Sequence, residues 1–288
     1  MKRATLFLVY GLFLLQTIHG NPMQKNDSTL TLFSYNIRYA NPDDGINAWK
    51  NRKEWVAESI SFFGGDIVGA QEVLYSQLQD LLTLLPGYAH VGVARDDGRT
   101  KGEFSPILYR KDRFELLQNE TFWLSETPEE VGSVGWDAAL PRIVTWAKFR
   151  DRNTGKTFYF VNTHFDHKGK QAREESARLI TARVKEIAGE LPAFITGDFN
   201  STPDSKAYKV IDNDKDILNT SGKAKKSYGP GYTFNSWKID PDPEKHHVID
   251  YIFFKGNIEI YKHHVLDIQR GARFASDHYP VIVTAKLY

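Results

Sequence analysis

Cysteine is absent from the 288 residues of the chain. This absence excludes disulfide bonds, thiolate metal sites and a cysteine nucleophile, and it removes the residue that bacterial lipid attachment needs. An excess of either charge is also absent, since 37 Lys and Arg residues face 36 Asp and Glu residues. Proteins that bind nucleic acid without selectivity usually carry a basic stripe. The even balance of charge therefore disfavours a long nucleic acid as the ligand.

The first residues combine a basic start with a short apolar run. Lys2 and Arg3 precede the uncharged, largely apolar residues 4–15. A run of this length is too short to cross a bilayer comfortably and fits the core of a secretory signal peptide. We predict a signal peptide over residues 1–20 and no stable membrane span after its removal. A membrane anchor that is never cleaved is the alternative, because Gly20 fits a cleavage site and Ile18 does not.

Beyond the leader, strand-like and helix-like patterns alternate. Period-two alternation and buried apolar runs predict strands over residues 30–38, 66–73, 192–199, 248–254, 258–267 and 279–288, with a hairpin over residues 143–165. Helical periodicity predicts helices over residues 49–63 and 171–190, and between them a helix that buries Leu78, Leu81, Leu82 and Leu85 and stops at Pro86-Gly87. Thr202-Pro203 predicts the start of a fourth helix. The sequence shows no repeat and no linker, so we predict one domain over residues 29–288 with mixed or antiparallel sheets.

Four polar motifs lie at the ends of predicted strands, where a rigid scaffold can present catalytic groups. They are Ser34-Tyr35-Asn36-Ile37-Arg38, Gln71-Glu72, Gly197-Asp198-Phe199-Asn200 and Ser276-Asp277-His278. Asp198 and Asn200 are two residues apart at a strand end, so their side chains share a face. A carboxylate beside an amide can orient a water molecule and stabilise charge on a phosphoryl oxygen. An ordinary turn is the alternative for this pair.

Several carboxylates lie next to or within apolar strands, where a negative charge needs a compensating positive charge or hydrogen bond. Glu72 follows the apolar residues 67–70, and a metal ion would offset the cost of its charge there. Mg²⁺ usually takes one or two protein carboxylates plus waters and phosphate oxygens, which Glu72 and Asp277 could satisfy. Asp277 precedes His278, which titrates near neutral pH, although a surface loop is the alternative. Asp250 lies in an apolar strand and could orient a histidine ring.

Together these motifs resemble the endonuclease/exonuclease/phosphatase superfamily, which includes DNase I, neutral sphingomyelinases, inositol-polyphosphate phosphatases and deadenylases. The resemblance covers residues 29–288 and follows the order Asn, Glu, His, Gly-Asp-x-Asn, Asp and Ser-Asp-His along the chain. Asn162-Thr163-His164-Phe165 resembles the histidine motif of the DNase I, sphingomyelinase and deadenylase branches. Residues 34–47 are most similar to an uncharacterised secreted bacterial branch.

The resemblance implies an α/β fold, a four-layer sandwich in which two mixed, mostly antiparallel β-sheets pack face to face between flanking helices. It also implies a hydrolase that uses Mg²⁺, with Mn²⁺ as a substitute, to cleave a phosphodiester or phosphomonoester by in-line attack of water. The residues implied to hold the metal are Asn36, Glu72 and Asp277. The residues implied in catalysis are His278, Asp198, Asn200, His164 and Asp250. The residues implied to contact the substrate phosphate are Arg142, Asn200 and His164, with a solvated side chain as the alternative for Arg142.

Other histidines and aromatic residues have less defined roles. His164 and His167 have the spacing of a possible second metal site, but residues three apart on a strand face opposite sides, so we predict that His167 points away. We expect the histidine pairs 246–247 and 263–264 at the surface, with His246 close to the site. The aromatic residues that could line a substrate groove are Trp123, Trp136, Phe234 and Trp237, with core packing favoured for Trp123.

The leading hypothesis is a monomeric phosphoesterase acting on a small molecule or a lipid headgroup. Residues 227–247, expected near the site, mix Lys with Asp and Glu and would not attract a polyanion. A secreted nuclease is the alternative. A non-catalytic binding protein of the same fold is disfavoured because Glu72, Asp198 and His278 are all present. The ester itself is left open, because specificity in this fold lies in variable loops, here residues 43–49, 133–142 and 227–247.

The sequon Asn200-Ser201-Thr202 bears on the cellular location. In a eukaryotic secretory pathway it is an acceptor for N-glycosylation. A sugar on a catalytic Asn200 would block the site. We therefore predict a bacterial protein located in the periplasm or outside the cell.

Overall fold

The computed structural model describes residues 28–239 and 247–288. The predicted signal peptide and residues 240–246, which include His246, lie outside this part of the chain, so the predictions made for them stay predictions. Among the described residues, no helix is both long enough and apolar enough to span a membrane.

The elements largely follow the predicted hydrophobic pattern. The strands are β1 (Thr29–Asn36), β2 (Ile67–Gln71), β3 (Tyr88–Val91), β4 (Ile107–Arg110), β5 (Phe114–Trp123), β6 (Ile143–Asp151), β7 (Thr157–His164), β8 (Ala193–Asp198), β9 (Ile217–Asn219), β10 (Lys226–Tyr228), β11 (Asp250–Lys255), β12 (Ile258–Val265), β13 (Gln269–Arg270), β14 (Arg273–Phe274) and β15 (Val281–Leu287). The helices are α1 (Lys53–Phe62), α2 (Tyr75–Leu84), α3 (Lys170–Ala188) and α4 (Lys206–Asp212), with 3₁₀ helices over Pro42–Asn47 and Trp49–Asn51.

Most of these strands form two sheets. The first sheet has the order β10-β12-β15-β1-β2-β4-β3, and the second has the order β5-β6-β7-β8-β11-β9. A parallel pair lies inside each sheet, β1 with β2 and β7 with β8, and most other neighbours are antiparallel. The predicted hairpin is formed by β6 and β7. The prediction of mixed, mostly antiparallel sheets is confirmed.

Three hydrophobic clusters separate four layers, which confirms the predicted sandwich. The central cluster joins the inner faces of the two sheets through residues such as Leu32, Ile67, Phe160 and Phe194. The second cluster packs α1 and α2 on the outer face of the first sheet, and the third packs α3 and α4 on the outer face of the second sheet. Each sheet is therefore apolar on both faces, which explains why the central strands are nearly continuous apolar runs.

A buried polar junction joins the two sheets near the ends of their parallel pairs. The side-chain amide of Gln71 in β2 donates to Asn162 Oδ1 in β7 at 2.7 Å, and Asn162 Nδ2 donates to the carbonyl of Ala70 at 2.7 Å. Thr196 Oγ1 in β8 also lies 3.1 Å from Asn162 Oδ1. A Cβ atom on Gly69 would lie 2.2 Å from Thr196 Oγ1, so only glycine allows this approach.

Two helix starts differ from the prediction. The predicted helix over residues 49–63 is divided into a 3₁₀ turn at Trp49–Asn51 and α1, which begins at Lys53. Helix α4 begins at Lys206 instead of at Thr202-Pro203, because Ser205 is its N-cap and Ser205 Oγ accepts the Tyr208 backbone N–H at 3.2 Å. A free side-chain oxygen one residue before the first turn decides where a short helix starts.

The close contact at Gly69 predicts a stability effect. Gly69→Ala should lower the free energy of unfolding by about 1–3 kcal/mol, because a methyl group would force Thr196 and Asn162 apart. Gly87→Ala is the control, since a Cβ atom there meets nothing within 4 Å. Urea unfolding of both variants measures the difference. Equal effects in the two variants would contradict the close approach of the sheets.

Candidate active site

An open cavity of about 730 Å³ lies where the parallel strand pairs of the two sheets end. Seven of the predicted site residues line it: Glu72, Arg142, His164, Asp198, Asn200, Asp277 and His278. The other two, Asn36 and Asp250, are buried behind it and bond to residues that line it. The structure therefore brings all nine predicted residues together, while the role of each stays a prediction.

Strand register explains this convergence. In the second sheet, His164 of β7 pairs with Asp198 of β8, and Asp198 pairs with Asp250 of β11. In the first sheet, Asn36 ends β1 beside Gln71, and Glu72 follows β2. Adjacent strands lie about 4.8 Å apart, so residues in register at strand ends bring their side chains within reach of one another.

Three of the six non-glycine residues with positive φ in the described part of the chain lie at the same place. Arg38, Glu72 and Asn200 have φ angles of 58°, 60° and 46°, in the left-handed region that non-glycine residues rarely occupy. Each lies within two residues of a strand end, and each lines the cavity. Such conformations cost on the order of 1–3 kcal/mol each, and they persist where surrounding structure fixes them, often at functional sites.

Asp198 is the centre of the polar network. Its Oδ2 accepts the Asn36 side-chain amide at 2.9 Å and lies 3.4 Å from His164 Nε2 and 3.8 Å from His278 Nε2. Burial, together with the negative charge of Asp250, raises the pKa of Asp198 to about 7. A carboxylate with this pKa can accept a proton near neutral pH, which the usual Asp value does not favour.

His278 is held by Asp250. Its Nδ1 lies 2.9 Å from Asp250 Oδ2, and the ring packs 5.0 Å from that of Phe234. Burial opposes a charge on the ring, but the charge of Asp250 and its hydrogen bond raise the pKa of His278 well above its usual value. Nδ1 therefore carries a proton toward Asp250, and Nε2 is presented toward Asp198.

The tautomer of His164 follows from Asn200. A carbonyl oxygen can only accept, so the 3.0 Å contact with the Phe165 carbonyl fixes the position of Asn200 Nδ2. Its second N–H points to His164 Nε2 at 3.1 Å, which makes Nε2 an acceptor and places the ring proton on Nδ1. Burial and the charges of Arg142 and Arg95 hold the pKa of His164 well below its usual value. His164 is thus a neutral donor through Nδ1.

Glu103 and Arg95 are site residues that sequence reasoning missed. Both guanidinium Nη atoms of Arg95 donate to Glu103, at 2.8 and 3.0 Å, and Glu103 lines the cavity with Oε2 3.9 Å from His164 Nδ1. Burial raises the pKa of Glu103. One sequence feature could have indicated Glu103: it is an acidic residue shortly before the apolar strand β4, just as Glu72 is an acidic residue directly after the apolar strand β2.

The carboxylates facing the cavity fit a divalent cation. Donor atoms of Glu72, His164 and Asp198 lie within 4.8 Å of one another. Burial raises the pKa of Asp277, and the charge of Glu72 acts in the same direction, so a cation between these carboxylates would relieve both effects. Hard oxygen donors of this kind suit Mg²⁺. The guanidinium of Arg38 lies 4.0 Å from Glu72 and 3.9 Å from Asp277 and offsets part of their charge.

The side-chain oxygen of Asn36, the atom that would bind a metal ion, accepts a hydrogen bond from the protein instead. Its Oδ1 accepts the Arg38 backbone N–H at 3.0 Å, and its Nδ2 donates to Glu72 Oε1 at 3.1 Å and to Asp198. The amide thus orients two carboxylates in this conformation. A direct bond from Asn36 to the metal stays a prediction.

Arg142 is buried, with 4% of its surface exposed, which excludes the solvated alternative. Its Nε donates to Asp166 at 3.3 Å and its Nη2 donates to His167 Nδ1 at 3.0 Å. The prediction that His167 points away from His164, to the opposite side of the strand, is wrong. Strand β7 ends at His164, so the alternation of side chains does not extend to His167, and both histidines line the cavity.

The remaining aromatic and histidine predictions have mixed outcomes. Phe234 lines the cavity, whereas Trp123 is buried and donates to the Arg95 carbonyl at 2.7 Å, which confirms core packing. His247 also lines the cavity. The pair 263–264 is half-buried instead of exposed, and His263 Nδ1 lies 3.1 Å from Thr220 Oγ1. Trp136 and Trp237 are not among the residues that line the cavity.

Comparisons with known proteins agree with the fold. The sequence model of the Endonuclease/Exonuclease/phosphatase family matches residues 33–278. An endonuclease/exonuclease/phosphatase from Bacteroides vulgatus superposes with a TM-score of 0.87 and 44% identity over 90% of this chain and 99% of its own. A mannosyl-6-phosphatase from Bacteroides thetaiotaomicron superposes with a TM-score of 0.82 and 40% identity over 88% of this chain and 98% of its own. Nocturnin from Drosophila melanogaster is 23% identical over 81% of this chain, which spans 40% of nocturnin.

The Asp250–His278 pair predicts a large effect on turnover. His278→Ala should leave the fold intact and lower kcat by at least about a hundredfold, ~2.7 kcal/mol of barrier, because the proton-transfer ring is lost. Asp250→Asn should act in the same direction through the same ring. His264→Ala, outside the cavity, is the control. Steady-state kinetics with circular dichroism checks the result, and near-normal turnover by His278→Ala would contradict the role.

Proposed function

Because the chain belongs to the endonuclease/exonuclease/phosphatase family, we propose that this hydrolase is a metal-dependent phosphatase that acts on phosphate monoesters of small hydroxyl-bearing molecules such as sugars. The observation that carries the proposal is the cavity itself. It joins a buried acid–base group, Asp198 with His278, to a pair of carboxylates, Glu72 with Asp277, and to the buried guanidinium of Arg142.

The energetics of phosphate esters require several groups to act together. Their hydrolysis in water is so slow that enzymatic enhancements reach about 10²¹ at the extreme, whereas one general base supplies only roughly 10²–10⁴. In the proposed reaction, Asp198 accepts the proton of the attacking water. His278 donates a proton to the leaving oxygen, since its pKa is raised well above the usual value. The different surroundings of Asp198 and His278 therefore assign one group as the base and the other as the acid.

The other residues bind and orient the phosphate. The neutral His164 donates from Nδ1, and Asn200, whose two amide hydrogens are directed at His164 and the Phe165 carbonyl, presents its oxygen as an acceptor for the water. A bound Mg²⁺, held by Glu72 and Asp277 with Asn36 behind them, would supply Lewis-acid stabilisation of the phosphoryl oxygens. Preorganised donors in a buried site lose little energy to reorganisation when charge develops.

The preference for a small monoester has two supports. The mannosyl-6-phosphatase from Bacteroides thetaiotaomicron shares 40% of its residues with this chain across 98% of its length, so its kind of substrate is a reasonable starting point. Residues 227–247, expected near the site, also mix Lys with Asp and Glu and concentrate no basic charge for a polyanionic backbone. Export is part of the proposal and rests on the leader-like residues 1–20 alone.

Removal of divalent cations should abolish activity. Exhaustive treatment with EDTA is expected to stop hydrolysis of p-nitrophenyl phosphate, and addition of Mg²⁺ or Mn²⁺ should restore it, because the proposed reaction uses a cation held by Glu72 and Asp277 to stabilise charge on the phosphoryl oxygens. Glu72→Gln should weaken Mg²⁺ binding measured by calorimetry, whereas the exposed Glu58→Gln should not. Full activity after chelation would refute the metal requirement.

A substrate panel tests the proposed function directly. Specific activity is measured on mannose 6-phosphate, glucose 6-phosphate, bis(p-nitrophenyl) phosphate, sphingomyelin and plasmid DNA at ~150 mM salt, near physiological ionic strength. We expect sugar monophosphates to be hydrolysed faster than both diesters and DNA. Cleavage of plasmid DNA far above the others would replace this proposal with the nuclease alternative.

A further inference from the structure

Arg52 is a buried arginine that the proposed reaction does not use. It is the residue directly before α1, and only 1% of its surface is exposed. Burial lowers the pKa of its guanidinium to about 10, so the group still carries a positive charge at neutral pH. The rings of Trp49 and Trp237 each lie 5.2 Å from it. A buried charge is costly unless its donors are satisfied, so the hydrogen-bond partners of Arg52 indicate what the residue does.

The partners of the guanidinium are four backbone carbonyls from three segments of the chain. Nη1 donates to the carbonyl of Ile37 and, at 3.1 Å, to the carbonyl of Ala275. Nη2 donates to the Arg38 carbonyl at 2.9 Å, and Nε donates to the Asn47 carbonyl at 2.7 Å. A planar guanidinium holds its donors in a rigid fork, so these bonds fix the three segments relative to one another.

The first of these segments leads to Glu72. Ile37 and Arg38 directly follow β1, and Arg38 has the left-handed φ of 58°. The next residue, Tyr39, donates its backbone N–H to Glu72 Oε2 at 3.1 Å. The bonds from Arg52 to Ile37 and Arg38 therefore hold the turn that binds one carboxylate oxygen of the glutamate.

The second segment leads to Asp277. Ala275 lies two residues before it, between β14 and β15. The residue between them, Ser276, donates from Oγ to the Asn36 carbonyl at 2.7 Å, which ties the same segment to the end of β1. Arg52 thus bonds on one side to the turn after β1 and on the other side to the segment that carries the aspartate.

We propose that Arg52 is a positioning residue that sets the separation of Glu72 from Asp277 and so determines how tightly the site binds a divalent cation. This inference rests on the metal requirement in the proposed function. Mg²⁺ tolerates little departure from octahedral geometry, with ligand distances of about 2.0–2.1 Å, so a small shift of either carboxylate would weaken its binding. Arg52 is not among the residues that line the cavity, and it therefore acts through the two segments that it holds.

The charge of Arg52 and its hydrogen bonds predict opposite effects on cation binding. Burial raises the pKa of Asp277, and the nearby charge of Arg52 acts in the opposite direction. The same positive charge would repel Mg²⁺, so its removal alone should strengthen Mg²⁺ binding. Loss of the hydrogen bonds should weaken Mg²⁺ binding instead. The sign of the change therefore distinguishes positioning from electrostatics.

Two substitutions of Arg52 use this difference. Arg52→Met removes both the charge and the hydrogen bonds, whereas Arg52→Lys keeps the charge but replaces the planar fork with a compact ammonium group. Arg113→Lys is the matched control, because Arg113 is also buried and donates to Asp66 and Asp151. Its bond to the Thr29 carbonyl lies at the start of β1, the end of the strand that is remote from the cavity.

Calorimetric titration with Mg²⁺ measures the dissociation constant of each variant at a temperature at which circular dichroism shows that it is folded. We expect Mg²⁺ binding to weaken at least about tenfold in Arg52→Lys and in Arg52→Met and to stay unchanged in Arg113→Lys. Unchanged or tighter binding in either Arg52 variant, or an equal loss in Arg113→Lys, would overturn the positioning role. Should Arg52→Met fail to fold, Arg52→Lys alone decides the outcome.

The titration also separates this inference from the proposed function. A wild-type protein that binds Mg²⁺ but hydrolyses no phosphate ester would refute the phosphatase function, and the titration would still test Arg52. A wild-type protein that binds no Mg²⁺ would overturn both the metal requirement and the role of Arg52.

Discussion

The buried carboxylate of Asp198 is the group on which the rest of the site depends. One of its oxygens is the common neighbour of Asn36 from the first sheet, His164 from the adjacent strand and His278 from the segment before β15. Burial of this charged group costs free energy, and because burial disfavours the charged form it raises the pKa of Asp198 to about 7. The same cost makes the group useful, because a carboxylate that binds a proton near neutral pH can exchange it with water. Burial thus both destabilises the negative charge of Asp198 and gives the group its proposed catalytic role.

Such a site requires the two sheets to keep a fixed alignment. The 2.9 Å contact between Asn36 and Asp198 crosses from one sheet to the other, and a slide of about 1 Å would break it. Apolar packing in the central cluster is compatible with small slides, whereas hydrogen bonds are directional. The junction of Gln71, Asn162 and Thr196 supplies directional bonds between the sheets, and Gly69 allows the close approach that they need. The polar junction therefore fixes the register that the hydrophobic core leaves free.

Sequence patterns predicted the parts of the molecule that obey a period. The central strands and long helices, and the acidic and amide residues at strand ends, follow from alternation and from motif order. The wrong predictions concern residues beyond the ends of strands and helices, where the periodic pattern no longer applies. His167 was assigned by strand geometry although β7 ends at His164, and α4 starts at a serine cap that a proline signal obscured. Glu103 became a site residue only through Arg95, a partner eight positions away in an irregular segment, and no local pattern contains that contact.

The cavity divides into two parts with different structural origins. His164, Asp198 and Asp250 occupy register positions on paired strands, so their geometry is a property of the fold and changes little unless the sheets change. Arg142, Asp166 and His167 lie just outside the strands, where residues can be replaced without disturbing sheet pairing. A family that keeps the first part and varies the second can retain one way of activating water while changing which phosphate ester enters. Specificity in this chain should therefore be sought in the turns that flank β6 and β7, and reactivity in the register of β7, β8 and β11.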